Sequence, residues 1–88
     1  MPEIKVTLTD GSTVIFHEEQ TFCSVFTISQ KDSTQTMVKG NIYGLWSHED
    51  DGLIPSFLEL LANSEFFFDV EQPTLYYSKS AIVKVEII

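Results

Sequence analysis

The chain has 88 residues, 43% of them hydrophobic, with 13 Asp and Glu against five Lys and a formal net charge of −8. That is too short for two ordinary domains and too apolar for a disordered acidic tail. It is also too acidic to track a nucleic-acid backbone, since displacing counterions from phosphates takes Lys and Arg, and Arg is absent.

The single cysteine, Cys23, has no partner for an internal disulfide and no Cys/His cluster for zinc, so a reducing compartment is expected. The N-terminus lacks the basic-then-apolar pattern of a secretion signal. The longest apolar stretch, Leu53 to Phe68, is interrupted by Pro55, Glu59 and Glu65, short of the ~18–20 residues that span a bilayer. A soluble cytoplasmic protein is the expectation. Absent Arg with frequent Phe, Ile and Lys fits an AT-rich, bacterial genome.

In chain order, Ile4, Val6 and Leu8 alternate with Lys5, Thr7 and Thr9, the period of a half-buried strand. Thr9-Asp10-Gly11-Ser12 signals a hairpin. A two-residue loop would set Ile4 against His17, whereas a three-residue loop pairs Val6 with Val14 and Ile4 with Phe16. The second register keeps apolar faces together and requires Gly11 in the left-handed region.

A third strand is predicted over Thr21 to Ser29, with Phe22, Phe26 and Ile28 on one face and Cys23 and Val25 on the other. Gln30 to Thr34 reads as a turn. The return strand covers about Gln35 to Trp46, where Gly40 and Gly44 mark a bulge, a sharp curve or a division into two strands. His48-Glu49-Asp50-Asp51-Gly52 forms an acidic loop ahead of a helix. Ile54, Phe57, Leu58 and Leu61 carry the helical period, Pro55 suits the first turn, the preceding acids complement the helix dipole, and Asn63-Ser64 supply the stop.

Beyond the helix, Phe66-Phe67-Phe68-Asp69-Val70 suits a short strand covered on both faces, Glu71-Gln72-Pro73 breaks it, and Thr74 to Ser78 resumes a strand. Ala81, Val83, Val85 and Ile87 alternate with Ile82, Lys84 and Glu86 in the last strand. The fold class is α+β: one domain over 1–88, with a mainly antiparallel, meandering sheet of five to seven strands and one helix, about 54–64, packed on one face.

Little here carries catalytic chemistry. His17 reads as a solvent-facing strand residue, Cys23 as a structural thiol without a basic neighbour, and His48 with Glu49, Asp50 and Asp51 as a solvated helix entry whose spacing matches no calcium loop. The four glycines are isolated, so no phosphate loop is present. No enzyme activity, cofactor or metal is expected. The aromatics are more informative. Phe66, Phe67 and Phe68 point alternately to two faces, Tyr76 and Tyr77 repeat this, and Trp46 adds a large ring.

Uncovered apolar faces imply partners, and symmetric homodimers are the commonest solution. The leading expectation is a non-catalytic protein-interaction module that forms a homodimer, with room for an unidentified protein partner and no direct contact with nucleic acid or membrane. Its interface or pocket residues would be Trp46, Phe57, Leu61, Phe66, Phe67, Tyr76 and Tyr77. One alternative is an apolar-ligand binder with a pocket between helix and sheet, lined by Trp46, Phe57, Leu61 and Phe66. Another is an acidic mimic of nucleic acid, although the acidic clusters are scattered along the chain.

Overall fold

The computed structural model describes residues 2–29 and 35–88, and the turn expected over Gln30 to Thr34 lies outside them. Four strands, β1 (Glu3–Leu8), β2 (Thr13–His17), β3 (Thr21–Ser29) and β4 (Gln35–Gly44), precede α1 (Ile54–Ala62). Three follow: β5 (Phe66–Asp69), β6 (Tyr76–Ser78) and, after a short 3-10 turn, β7 (Ile82–Ile87). This is an α+β fold whose strand pairs are all antiparallel, divided between a three-stranded sheet ordered β2-β1-β7 and a four-stranded sheet ordered β4-β3-β5-β6.

The first hairpin takes the three-residue loop. Val6 lies opposite Val14 and Ile4 opposite Phe16, and Gly11 has φ of +86°. The Asp10 carboxylate accepts the backbone N–H and the hydroxyl of Ser12, which locks the loop and holds the Asp10 carboxyl below the usual range. β7 departs from strict alternation. Thr7 pairs with Lys84 but Leu8 with Ile82, so Val83 is an extra residue at a bulge and faces solvent, while Ile82 packs on the core. The bulge moves the inward positions from Ala81 and Val83 to Ile82.

The main core lies between the sheets and the helix. The first sheet contributes Ile4, Val6 and Phe16, the second Phe22 and Phe67, and the helix with its approach Leu45, Leu53, Phe57 and Leu60. The helix buries Ser56, Phe57 and Leu60; of the predicted stripe, Phe57 is buried, Ile54 and Leu61 pack half-buried against the core, and Leu58 is exposed. The fully buried line is Leu53, Phe57 and Leu60, so the centre of the apolar face is rotated by about one position from the predicted one, with Ile54 and Leu61 at its margin.

Pro55 lies in the first turn as expected, but that turn holds no acidic side chain and Leu53 at the N-cap makes no side-chain cap. Ser56 supplies the tie instead. Its hydroxyl accepts the Trp46 N–H at 3.2 Å and lies 3.0 Å from the Leu53 carbonyl, to which it donates. At the other end Asn63 is the C-cap, and its side-chain amide donates to the Glu59 carbonyl at 2.9 Å.

Candidate functional site

The seven nominated residues do not form one surface. Phe57 and Phe67 are fully buried, and their rings meet at 5.9 Å between the helix and the second sheet. Phe67 also packs against Phe22 and stacks on half-buried Tyr77. These rings fill the space in which a pocket between helix and sheet was expected. Leu61 is half-buried against the same core. Phe66 and Tyr76 lie on the opposite face of the sheet, over a small cluster of Cys23, Val25 and Phe68. Trp46 is exposed and lies over His48, with ring centroids 3.8 Å apart. Phe57 and Phe67 are therefore core residues and not interface residues, because two-faced aromatics on β5 are met on both sides from within the chain.

The exposed apolar surface lies elsewhere. β5 pairs with β3 only from Phe22 to Val25. Beyond Val25, β3 runs beside β4 alone, as a two-stranded arm. Cross-strand partners share a face, so Phe26, Ile28 and Val38 lie on one side and Thr27 and Met37 on the other. Phe26, Ile28, Met37, Val38 and Ile42 are all exposed, Met37 at 51% and Ile42 at 59%. Across β3 and β4, nine and ten residues long, the only charge is Lys39. In a chain of net charge −8, the two longest strands carry no acid.

That pattern was readable in the sequence as two acid-free segments flanking Gln30 to Thr34. Alternation places Phe26 and Ile28 on the same face as Phe22 and carries no sign of where that face ceases to be covered. Both would be core positions if β5 were as long as β3, but β5 has four residues.

A bulge separates Cys23 and Val25 on β3, placing Gly40 and Asn41 of β4 opposite Ser24. β4 stays one strand, so Gly40 marks a bulge and not a division. A side chain at Gly40 would meet the Ser24 hydroxyl at 2.5 Å and the Phe26 ring at 3.1 Å, so the missing Cβ lets the two strands close.

The edges of the arm differ. Where β5 stops, the Glu65 carboxylate takes the place of the next residue. Its Oε1 accepts the Thr27 N–H at 3.0 Å and the Thr27 hydroxyl at 2.7 Å. These two bonds, the hydroxyl first, hold the Glu65 carboxyl below the usual carboxylate range. The lane beyond is an open groove of about 800 Å³ lined by Phe26, Thr27, Ser64, Phe66 and Lys79 among others. Among the described residues the Ser64 hydroxyl is buried with no hydrogen-bond partner.

Because the Thr27 N–H points away from β4, alternation directs the main-chain groups of Phe26 and Ile28 toward Val38 and Thr36. The N–H and C=O of Met37 and Lys39 therefore face outward on the free edge of β4. Among the described residues no strand pairs with that edge.

Buried Asp69 accepts the Gln20 amide at 2.6 Å and the Glu71 N–H at 2.8 Å. Burial, and then the Asp69 charge, push the Tyr77 phenol up from its ordinary value. Cys23 is buried, and His17 is exposed with Nδ1 2.9 Å from the Glu18 carbonyl. The Nε2 of half-buried His48 has no partner among the described residues. No group of three or more His, Cys, Asp and Glu is placed to hold a metal ion among the described residues. Nor is any described helix long and apolar enough to cross a membrane. Compared with protein-family models, curated proteins and solved structures, the chain finds no match.

Proposed function

We propose that this protein is a non-catalytic protein-interaction module that self-associates through the β3–β4 arm. One observation carries the reading: Phe26, Ile28, Met37, Val38 and Ile42 are exposed on two strands that hold no acid, in a chain of net charge −8. Acids keep the rest of the surface soluble and mutually repulsive, and the arm is the stretch where two such chains can touch without opposing carboxylates. A homodimer is the expected assembly.

Sedimentation velocity from low to high micromolar concentration tests the proposal. Dimer mass is expected for the natural chain. Loss of dimer, with little change in melting temperature, is expected for Ile28→Glu combined with Val38→Glu. A natural chain that stays monomeric at high micromolar concentration overturns the reading.

Salt separates self-association from mimicry of nucleic acid. Screening weakens repulsion between two acidic copies and strengthens the dimer, whereas it would weaken docking of an acidic mimic on a basic partner.

A further inference from the structure

Resting on the self-association above, we propose that two copies join edge to edge, β4 against antiparallel β4, and that Glu65 closes the other edge of the arm so that assembly stops at two. The Thr27 N–H is held by Glu65 on the side away from β4. That fixes the parity of the arm, and the outward donors and acceptors of β4 are those of Met37 and Lys39.

A two-fold axis beside Val38 then sets Met37 of each copy opposite Lys39 of the other, exchanging main-chain hydrogen bonds. The two Val38 side chains meet directly, and Phe26 and Ile28 extend the same apolar face across four strands. This register keeps the two Lys39 ammonium groups out of direct opposition. No carboxylate of β3 or β4 enters the contact. The bulge at Gly40 and Asn41 ends the straight portion of the edge and confines the pairing to the arm.

The second edge would otherwise recruit more chains. Beyond Val25, β3 has a free side facing the groove, and Thr27 carries an outward N–H there. Exposed edges of this kind template further pairing unless a charge covers them. Glu65 is placed to do so: it takes up the donor and leaves a carboxylate in the lane an added strand would occupy. An isologous β4 contact with a covered β3 edge closes as a dimer, and uncovering the β3 edge adds a second contact that need not close.

Proline reads out each edge separately, because it removes an N–H that has no partner among the described residues at Met37, and at Thr27 one whose partner is lost once Glu65 is replaced. Met37→Pro is expected to convert dimer to monomer while the far-ultraviolet dichroism and melt are retained. Should both the natural chain and a folded Met37→Pro variant be dimeric, edge pairing is wrong while self-association stands. A monomeric natural chain removes the underlying reading itself. Amide exchange on the unaltered protein gives an independent answer. The Met37 and Lys39 amides are expected to slow about tenfold or more at dimer-forming concentration and to recover on dilution; rates independent of concentration overturn the pairing.

For the guard, Glu65→Ala is expected to sediment as species larger than a dimer, and adding Thr27→Pro to Glu65→Ala is expected to return the dimer. A Glu65→Ala chain that remains dimeric, or a double variant that remains larger, overturns the role of Glu65.

Discussion

Phe67 separates the core from the surface more sharply than any other residue. Its ring is fully buried among Phe16, Phe22, Phe57 and Tyr77, with centroids 5.3 to 6.5 Å away. Phe67→Ala removes the ring from the junction of both sheets and the helix, where the backbone is held on every side and little collapse is available. Such truncations cost about 3–5 kcal/mol. A chain of 88 residues has a total stability of about 4–13 kcal/mol, so the variant is close to unfolding. At about 4–8 °C per kcal/mol, the melting temperature should fall by about 12–40 °C.

Phe66→Ala is the matched control. Its ring is half-buried at the start of the same strand and touches only the smaller cluster, so the loss should be about 1–2 kcal/mol. Urea unfolding followed by Trp46 fluorescence and dichroism, at one protein concentration for all variants, measures both. Equal losses for Phe66→Ala and Phe67→Ala would refute the placement of Phe67 in a shared core.

Gly11→Val should destabilise by about 1–2 kcal/mol, because a β-branched residue is forced to φ of +86°; thermal melts unchanged within error would contradict the hairpin geometry. Gly40→Ala has no open space for its methyl, which meets Ser24 and the Phe26 ring, so the arm amides near residues 24–26 should exchange faster and the melt should drop. Glu65→Gln tests the tie to Thr27 through pH. The folded carboxyl lies below its ordinary value of 4.5, so its contribution to stability is fully present above that pH and lost as pH falls through the lowered value. The melting difference between the natural chain and Glu65→Gln should therefore be largest near neutrality and shrink toward pH 3; a difference independent of pH would contradict it. The proposed dimer should tighten as salt is raised from 0.05 to about 0.5 M, read by sedimentation equilibrium, because the Debye length falls several-fold.

Local pattern carried the hairpins and the helix because each is decided within a few residues. Ile4, Val6, Val14 and Phe16 admit one register that keeps apolar faces together, and the structure adopts it. Parity fails where a distant strand intervenes. The bulge at Val83 follows from the meeting of β7 with β1, some 75 residues earlier in the chain, and nothing within β7 announces it. The division into two sheets has the same origin, since β7 returns to β1 and β5 inserts beside β3. The exposed arm depends on where β5 stops, and Glu65 reaches Thr27 across 38 positions. No spacing rule connects those two residues.

The distribution of acid explains why the arm can be both apolar and tolerated. Carboxylates at Glu18, Glu19, Glu49, Asp50 and Asp51 lie in the loops around the ends of the sheets, and Glu71 follows β5. Each additional copy approaching by those surfaces meets like charge, which costs little at contact in salt but lowers the rate of encounter and disfavours random aggregation. The arm is exempt, and an exempt edge with outward backbone donors would recruit without limit unless one side were closed. Among the described residues Glu65 is the acid hydrogen-bonded to the arm, at the backbone N–H that an added strand would need. A charge scattered over the chain for solubility and a charge aimed at one amide are thus distinguishable: replacing Glu71, which follows the end of β5 remote from the arm, by Ala should leave the assembly a dimer, whereas Glu65→Ala should not.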